Sequence, residues 1–369
     1  MSLYRLPRRG RCRLFSGGNQ LKKGILHTYE KFLPLTEKTP LLSLCEGDTP
    51  LIPLGNIGRE LGVELYGKFE GLNPTGSFKD RGMVLAVAKA AEEGAKAVVC
   101  ASTGNTSASA AAYGALAGIP CFTLLPAGKV ASGKLAQAVI HGARVVAVRG
   151  NFDEALEMAR TASREKGRLA IVNSVNPYRL FGQRSAAWEI CDELGSPPDW
   201  LTLPVGNAGN ISAYCAGFEF YREIGRISRL PRLIGVQAEG AAPMVKGAPV
   251  DNPETVATAI RIGRPVNASL ARRAVELTNG QFLSVSDEEI LEAQGILASK
   301  NGIFAEPASC APLAGLYRLK KMDKLPAVIR IVMVLTGNGL KDPDAAKGRG
   351  EALVEIDGTT EALLEVLGL

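Results

Sequence analysis

At 369 residues the chain is longer than one hydrophobic core usually serves, so two domains are the starting expectation. A composition of 46% hydrophobic and 22% charged residues is that of an ordinary soluble globular protein, and the net charge of +6 is modest and scattered apart from Arg5 to Arg13, which excludes nucleic acid as an expected partner. With neither a membrane-length apolar run nor a signal-peptide core, no membrane partner is expected and the cytoplasm is the expected location.

Seven cysteines without a C-x-x-C pair read as reduced core thiols, and two histidines, His27 and His141, give little material for a metal site or a Ser–His triad. No metal is expected, and demanding chemistry would have to come from a borrowed cofactor. In chain order, residues 1–40 read as a basic arm with a short helix, 41–54 as strand–turn–strand, and 64–70 as a strand. Turn formers then open Asn73-Pro-Thr-Gly-Ser-Phe-Lys-Asp-Arg-Gly82, where Ser77 is expected to cap a helix running through Met83 to Gly94. Lys79 falls in the first turn of that helix, where unpaired N–H groups and the positive dipole end disfavour its charge. A lysine with a depressed pKa is what Schiff-base chemistry requires, although a helix-start lysine taken alone is more often a solvated charge.

Regular alternation follows: strand 97–101, polar loop 102–107, helix 108–118, strand 120–126, helix 132–141, strand 144–148, helix 153–166 and strand 169–173. A second series runs through helix 180–194, strand 200–205, loop Gly206-Asn-Ala-Gly-Asn210, helix 211–224 and strand 232–238. Residues 241–281 are irregular and are expected to cover an opening; helices near 287–301 and 309–322 precede strand 328–335 and the turn Thr336-Gly-Asn-Gly339, with a last short helix at 359–367. Short Val/Ile/Leu strands alternating with helices predict open, mostly parallel sheets with helices on both faces, and ligands in such sheets bind beyond the strands' carboxyl ends.

Four polar segments stand at those ends. Gly206 to Asn210 can converge backbone N–H groups on a phosphate at a helix start, although it is neither a Walker loop nor a dinucleotide fingerprint. Ser102-Thr-Gly-Asn-Thr-Ser107 offers hydroxyls and an amide to a carboxylate or cofactor rim, and Asn173-Ser-Val-Asn-Pro-Tyr-Arg179 ends in a bidentate anion ligand. Thr336 places a neutral hydroxyl after the most strand-like run. Each of the four, alone, could be an ordinary turn or cap.

Together, Asn73 to Gly82, Ser102-Thr-Gly-Asn105-Thr, Gly206 to Asn210 and Leu335-Thr-Gly-Asn-Gly-Leu-Lys-Asp342 resemble the threonine synthases, a family of fold-type II pyridoxal-phosphate (PLP) enzymes. Glu46-Gly-Asp-Thr-Pro-Leu, Asn176-Pro-Tyr-Arg and Pro253 to Gly263 extend the likeness over about residues 27–345. The resemblance implies a tryptophan synthase β-like, two-domain α/β fold with PLP in the interdomain cleft: residues 1–69 an arm and part of the large domain, 70–174 the small domain, and 175–369 the rest of the large one. It implies that Lys79 binds PLP as a Schiff base and acts as mobile acid and base, with Phe78 behind the ring and Asn105 on its 3′-oxygen. By the same likeness Gly206, Asn207, Ala208, Gly209 and Asn210 hold its phosphate, and Thr336 faces the ring nitrogen. Ser102, Thr103 and Thr106 would grip the substrate carboxylate, and Asn173, Ser174 and Arg179 its phosphate.

The implied reaction is that of a carbon–oxygen lyase acting on phosphates: O-phospho-L-homoserine and water give L-threonine and phosphate, by a homodimer. Phe181 departs from the family pattern, in which an acidic residue follows Arg-Leu. The long N-terminal extension that carries an S-adenosylmethionine site in plant members is not seen, so that regulation is not expected. Alternatives within the fold are a phosphoserine-using, cysteate synthase-like enzyme and a threonine or serine dehydratase, whose phosphate loop carries a run of glycines. A PLP-binding protein without turnover is a further alternative; Lys79, Asn105 and Thr336 argue against it.

Overall fold

A computed structural model describes residues 23–127, 132–150, 152–346 and 354–368. The expected basic arm, Arg5 to Arg13, lies outside them. Ten strands are described: β1 Leu51–Pro53, β2 Glu64–Phe69, β3 Ala97–Ala101, β4 Cys121–Pro126, β5 Arg144–Val148, β6 Leu169–Ile171, β7 Trp200–Pro204, β8 Arg232–Ala238, β9 Gln281–Val285 and β10 Arg330–Leu335. They form a six-stranded sheet of order β1-β2-β10-β7-β8-β9 and a four-stranded sheet of order β5-β4-β3-β6. Every pairing is parallel except β1 with β2.

Side-chain alternation divides the apolar residues of these strands between two faces. In β10, Val332 and Val334 enter one core while Ile331, Met333 and Leu335 enter the core on the opposite face. In β3, Val98 and Cys100 face one way and Val99 and Ala101 the other. Between the sheets runs the helix Lys79–Glu92, buried continuously from Asp80 to Ala90. A helix enclosed on all sides needs small and apolar residues all round, and Met83-Val-Leu-Ala-Val-Ala supplies them.

Local details differ from the sequence expectations. Only Leu51–Pro53 of the 41–54 stretch is a strand, and Gly55–Leu61 is a helix. The helix expected over 180–194 is two, Pro177–Gln183 and Ser185–Leu194. The irregular region contains helix Ala268–Leu277 and ends at the start of strand β9. Ser77 does not cap the lysine helix: its Oγ lacks a partner, while the Asp80 carboxylate accepts from the Thr75 amide at 2.7 Å and the Thr75 hydroxyl at 2.6 Å. The loop is therefore pinned from inside the helix.

Candidate active site

The strand order explains why distant segments meet. β2, β10 and β7 are neighbours, so their carboxyl ends deliver the lysine loop, Thr336 and Gly206–Asn210 side by side. β3 and β6 are neighbours in the other sheet and deliver Ser102–Thr106 and Asn173–Arg179. The lysine loop is laced to the exit of β10: the Phe78 amide donates to the Thr336 carbonyl at 3.0 Å, Asn338 N–H donates to the Gly76 carbonyl at 2.9 Å, and Ser77 pairs with Gly337.

Lys79 is partly accessible, with Nζ 4.3 Å from the Phe78 ring centre. Burial, then the positive charge of Arg179, push its pKa down to about 8, against the opposing pull of Glu306. Arg179 is buried, donates from one terminal nitrogen to the Val172 carbonyl at 2.6 Å, and leaves Nε without a partner. Among the described residues it forms no ion pair, and burial pushes its pKa down to about 10. A buried guanidinium with an idle donor is an anion site in search of its anion.

Asn173 uses its amide on the β3 backbone, accepting from Ala101 N–H at 2.9 Å and donating to the Ala101 carbonyl at 2.8 Å. It thus joins the Ser102 and Arg179 loops, and one amide hydrogen is left for a ligand. Ser102 Oγ accepts from the Gly104 amide at 3.2 Å, and Thr103 and Thr106 stand partly exposed beside it. Phe181 lies under the Arg184 guanidinium, 4.1 Å from ring centre to carbon, so a cation–π contact stands where an acid was expected.

At Gly206–Asn210 the backbone turns through a left-handed Ala208, φ 62°, and Asn210 Nδ2 has no partner. A Cβ on Gly206 would stand 3.0 Å from the Ile260 Cα, so the turn is closed against residues 259–262. Asn267, which sequence reasoning missed, braces it: its N–H donates to the Asn207 carbonyl at 3.2 Å, and its side-chain amide reaches the Ser174 carbonyl at 3.4 Å.

Glu306 was missed as well. Its carboxyl accepts from Asn105 Nδ2 at 2.9 Å and meets Thr336 Oγ1 at 3.2 Å, and Ser309 Oγ lies 2.9 Å from the same Thr336 oxygen. The signal in the sequence was its place before Pro307, since Glu is a poor N-cap and this one forms no side-chain cap.

A family profile described as "Pyridoxal-phosphate dependent enzyme" matches residues 42–337. Threonine synthase of Halalkalibacterium halodurans is 56% identical over 88% of this chain and 91% of its own length. That of Mycobacterium tuberculosis is 50% identical over 94% and 96%. The chain belongs to the threonine synthases, within the pyridoxal-phosphate-dependent enzymes.

Among solved structures, a threonine deaminase of T.th. aligns with a TM-score of 0.65 at 26% identity, covering 79% of this chain and 92% of that one. Threonine deaminase isoform 2 of Solanum lycopersicum aligns at 0.69 and 23% identity, covering 82% and 88%, and shows the shared fold. The cofactor of a threonine synthase is pyridoxal phosphate, and the residues present suit it. Asn210 Nδ2 is an unpartnered donor in a small-residue turn at a helix start, which suits a phosphate; Lys79 is an amine of depressed pKa, which suits an aldehyde; Asn105 and Thr336 supply polar contacts, with Glu306 between them.

Proposed function

We propose that the chain converts O-phospho-L-homoserine and water to L-threonine and phosphate, with Arg179 recognising the substrate phosphate and Lys79 moving the protons. The observation that carries this is the pairing of a buried arginine that has an idle donor with a lysine whose pKa that same arginine lowers. The 50% and 56% identities to threonine synthases support the same assignment.

In this reading Gly206 to Asn210 hold the cofactor phosphate, Asn105 its 3′-oxygen side and Thr336 its ring nitrogen, with Phe78 behind the ring. The cofactor supplies an electron sink for the bond broken at Cα. Ser102, Thr103 and Thr106 bind the substrate carboxylate, fixing which Cα–H bond faces Lys79. Asn173, Ser174 and Arg179 hold the phosphate group, and the guanidinium neutralises the charge that grows on the departing phosphate oxygen. Lys79, able to be amine or ammonium near neutrality, takes a proton from Cα and then one from Cβ as the phosphate leaves Cγ, gives a proton to Cγ, and reprotonates Cα after water has added at Cβ. Thr336 would offer the ring nitrogen a neutral hydroxyl and not a carboxylate, so it would supply no counter-charge for a protonated ring.

We also place the protein in the cytoplasm as a homodimer; among the described residues no helix is long and apolar enough to cross a membrane. The test supplies a yellow preparation, whose sedimentation should give a dimer, with O-phospho-L-homoserine and separately with O-phospho-L-serine. Threonine and phosphate should appear together from the first alone and vanish in Lys79→Ala. Elimination from phosphoserine with silence towards phosphohomoserine would overturn the substrate and keep the cofactor.

A further inference from the structure

Thr336 has one hydroxyl hydrogen and two candidates to receive it. Facing a ring nitrogen that carries no proton, it must donate; facing an ionised Glu306, it must donate there instead. The surrounding geometry sharpens the conflict. Ser309 Oγ accepts from the Gly337 amide at 2.9 Å and lies 2.9 Å from Thr336 Oγ1, so it can give its own hydrogen to Thr336 or to the Gly337 carbonyl at 3.3 Å. Neither choice lets Thr336 serve a second acceptor.

The conflict disappears if the acid carries a proton on Oε1. Glu306 then donates to Thr336, Thr336 donates onward, and Oε2 remains the acceptor for Asn105. We propose that Glu306 is a positioning residue that works as a neutral acid, setting the hydrogen-bond direction of both Thr336 and Asn105. This rests on the reading that pyridoxal phosphate binds beside those two residues.

Packing favours the arrangement. Glu306 is 4% exposed, and a Cβ on Gly337 would stand 2.5–2.7 Å from its carboxyl atoms, so only glycine admits the acid there. Burial raises the pKa of Glu306; the Asn105 and Thr336 contacts and the cations Lys79 and Lys341 pull it down. Cys310, one turn along the Glu306 helix, has a pKa pushed above its usual value by burial and brings no competing charge. Of the two cations, Lys79 is itself pushed towards its neutral form, and Lys341 is lowered by burial too. The charges that would hold Glu306 ionised are thus weakened by the same enclosure.

Glutamine is the isosteric copy of the neutral acid: its NH2 can donate to Thr336 and its carbonyl can accept from Asn105. Glu306→Gln should therefore bind pyridoxal phosphate within about twofold of wild type, and Glu306→Leu, losing both buried contacts, about tenfold or more weakly. Binding is read by absorbance as the cofactor-free protein is titrated with pyridoxal phosphate. The infrared spectrum of the loaded wild-type protein should also show a protonated-carboxyl C=O band that is missing in Glu306→Gln, a comparison that stands even if the leucine variant fails to fold. A tenfold loss in Glu306→Gln, no loss in Glu306→Leu, or an ionised-carboxylate band in place of the acid band would overturn the assignment of Glu306 alone. Failure of the wild type to take up pyridoxal phosphate would remove the cofactor site and this inference with it.

Discussion

Arg81 on the lysine helix and Arg179 on the neighbouring helix Pro177–Gln183 are both buried, and their surroundings give them different work. Arg81 meets Glu70 at 2.6 Å and Glu189 at 2.6 Å, with Lys68 completing a neutral set through a 2.9 Å contact to Glu189. That cluster satisfies its own charges and anchors the helix start two residues past Lys79. Arg179 donates to a neutral carbonyl and to no carboxylate among the described residues, so its charge is felt by Lys79 and stands ready for an incoming anion. The sign of the resulting pH dependence follows. Below about 8 Lys79 is mainly ammonium and unreactive towards a carbonyl; as pH rises through about 8 the free amine appears. The rate at which pyridoxal phosphate, trapped by borohydride, labels Lys79 should rise with that midpoint. Arg179→Leu should move the midpoint upward, because the second of the two lowering influences is gone, and should raise KM for the phosphorylated substrate by about tenfold or more. An unmoved midpoint would show that the two charges do not communicate.

At the scale of elements, the helices Lys79–Glu92 and Pro177–Gln183 touch through their backbones. A Cβ on Gly182 would stand 2.0 Å from the Arg81 carbonyl oxygen, and one on Gly82 would stand 2.5 Å from the Arg179 carbonyl. The pair of glycines sets how close Arg179 comes to Lys79, so Gly182→Ala must part the helices. A loss of about 1–3 kcal/mol in denaturant unfolding is expected, with a larger effect on the phosphate-dependent KM than on pyridoxal phosphate binding. Unchanged stability would mean that the crossing relaxes freely. Nothing in Leu180-Phe-Gly-Gln announced this contact; it depends on which helices cross, and a single sequence carries no pairing information. The βα alternation was legible because buried parallel strands are short runs of Val, Ile and Leu, as in Ile331 to Leu335, although the strand expected over 328–335 begins only at Arg330. β9 was not: Gln281-Phe-Leu-Ser-Val is mostly half-buried at the sheet edge, and its neighbours are rich in Pro and Asn. Glu306 escaped notice for a related reason, since its partners lie 30 and 201 residues away.

For the whole molecule the question is how a site lying between two sheets admits substrate and then keeps water away. The four-stranded sheet and its helices reach the larger unit through few polar contacts near the site. Gln137, on the helix Ser132–Ile140 between β4 and β5, donates to the Thr75 carbonyl at 3.2 Å and accepts from Lys341, which itself donates to Thr75 at 3.1 Å. Asn105 reaches Glu306 at 2.9 Å across the same gap. Each of these is a single part-buried hydrogen bond, and one such bond contributes about 0.5–1.5 kcal/mol net, so a few of them can break and re-form. Substrate, by contrast, would touch both sides at once: its carboxylate Ser102 to Thr106 within residues 70–174, and its phosphate Arg179 beyond them. We therefore expect residues 70–174 to act as the smaller domain and to close over bound substrate, holding water out until it is needed at Cβ. Hydrogen exchange with and without a phosphonate analogue, which cannot lose its phosphorus group, would read this. Amides of 102–107 and 173–176 should slow on binding, while those of β8, in the large sheet and already buried from Leu233 to Ala238, should not change. Equal protection in the two states would mean that the cleft is already closed, and that entry of substrate depends on the loops alone.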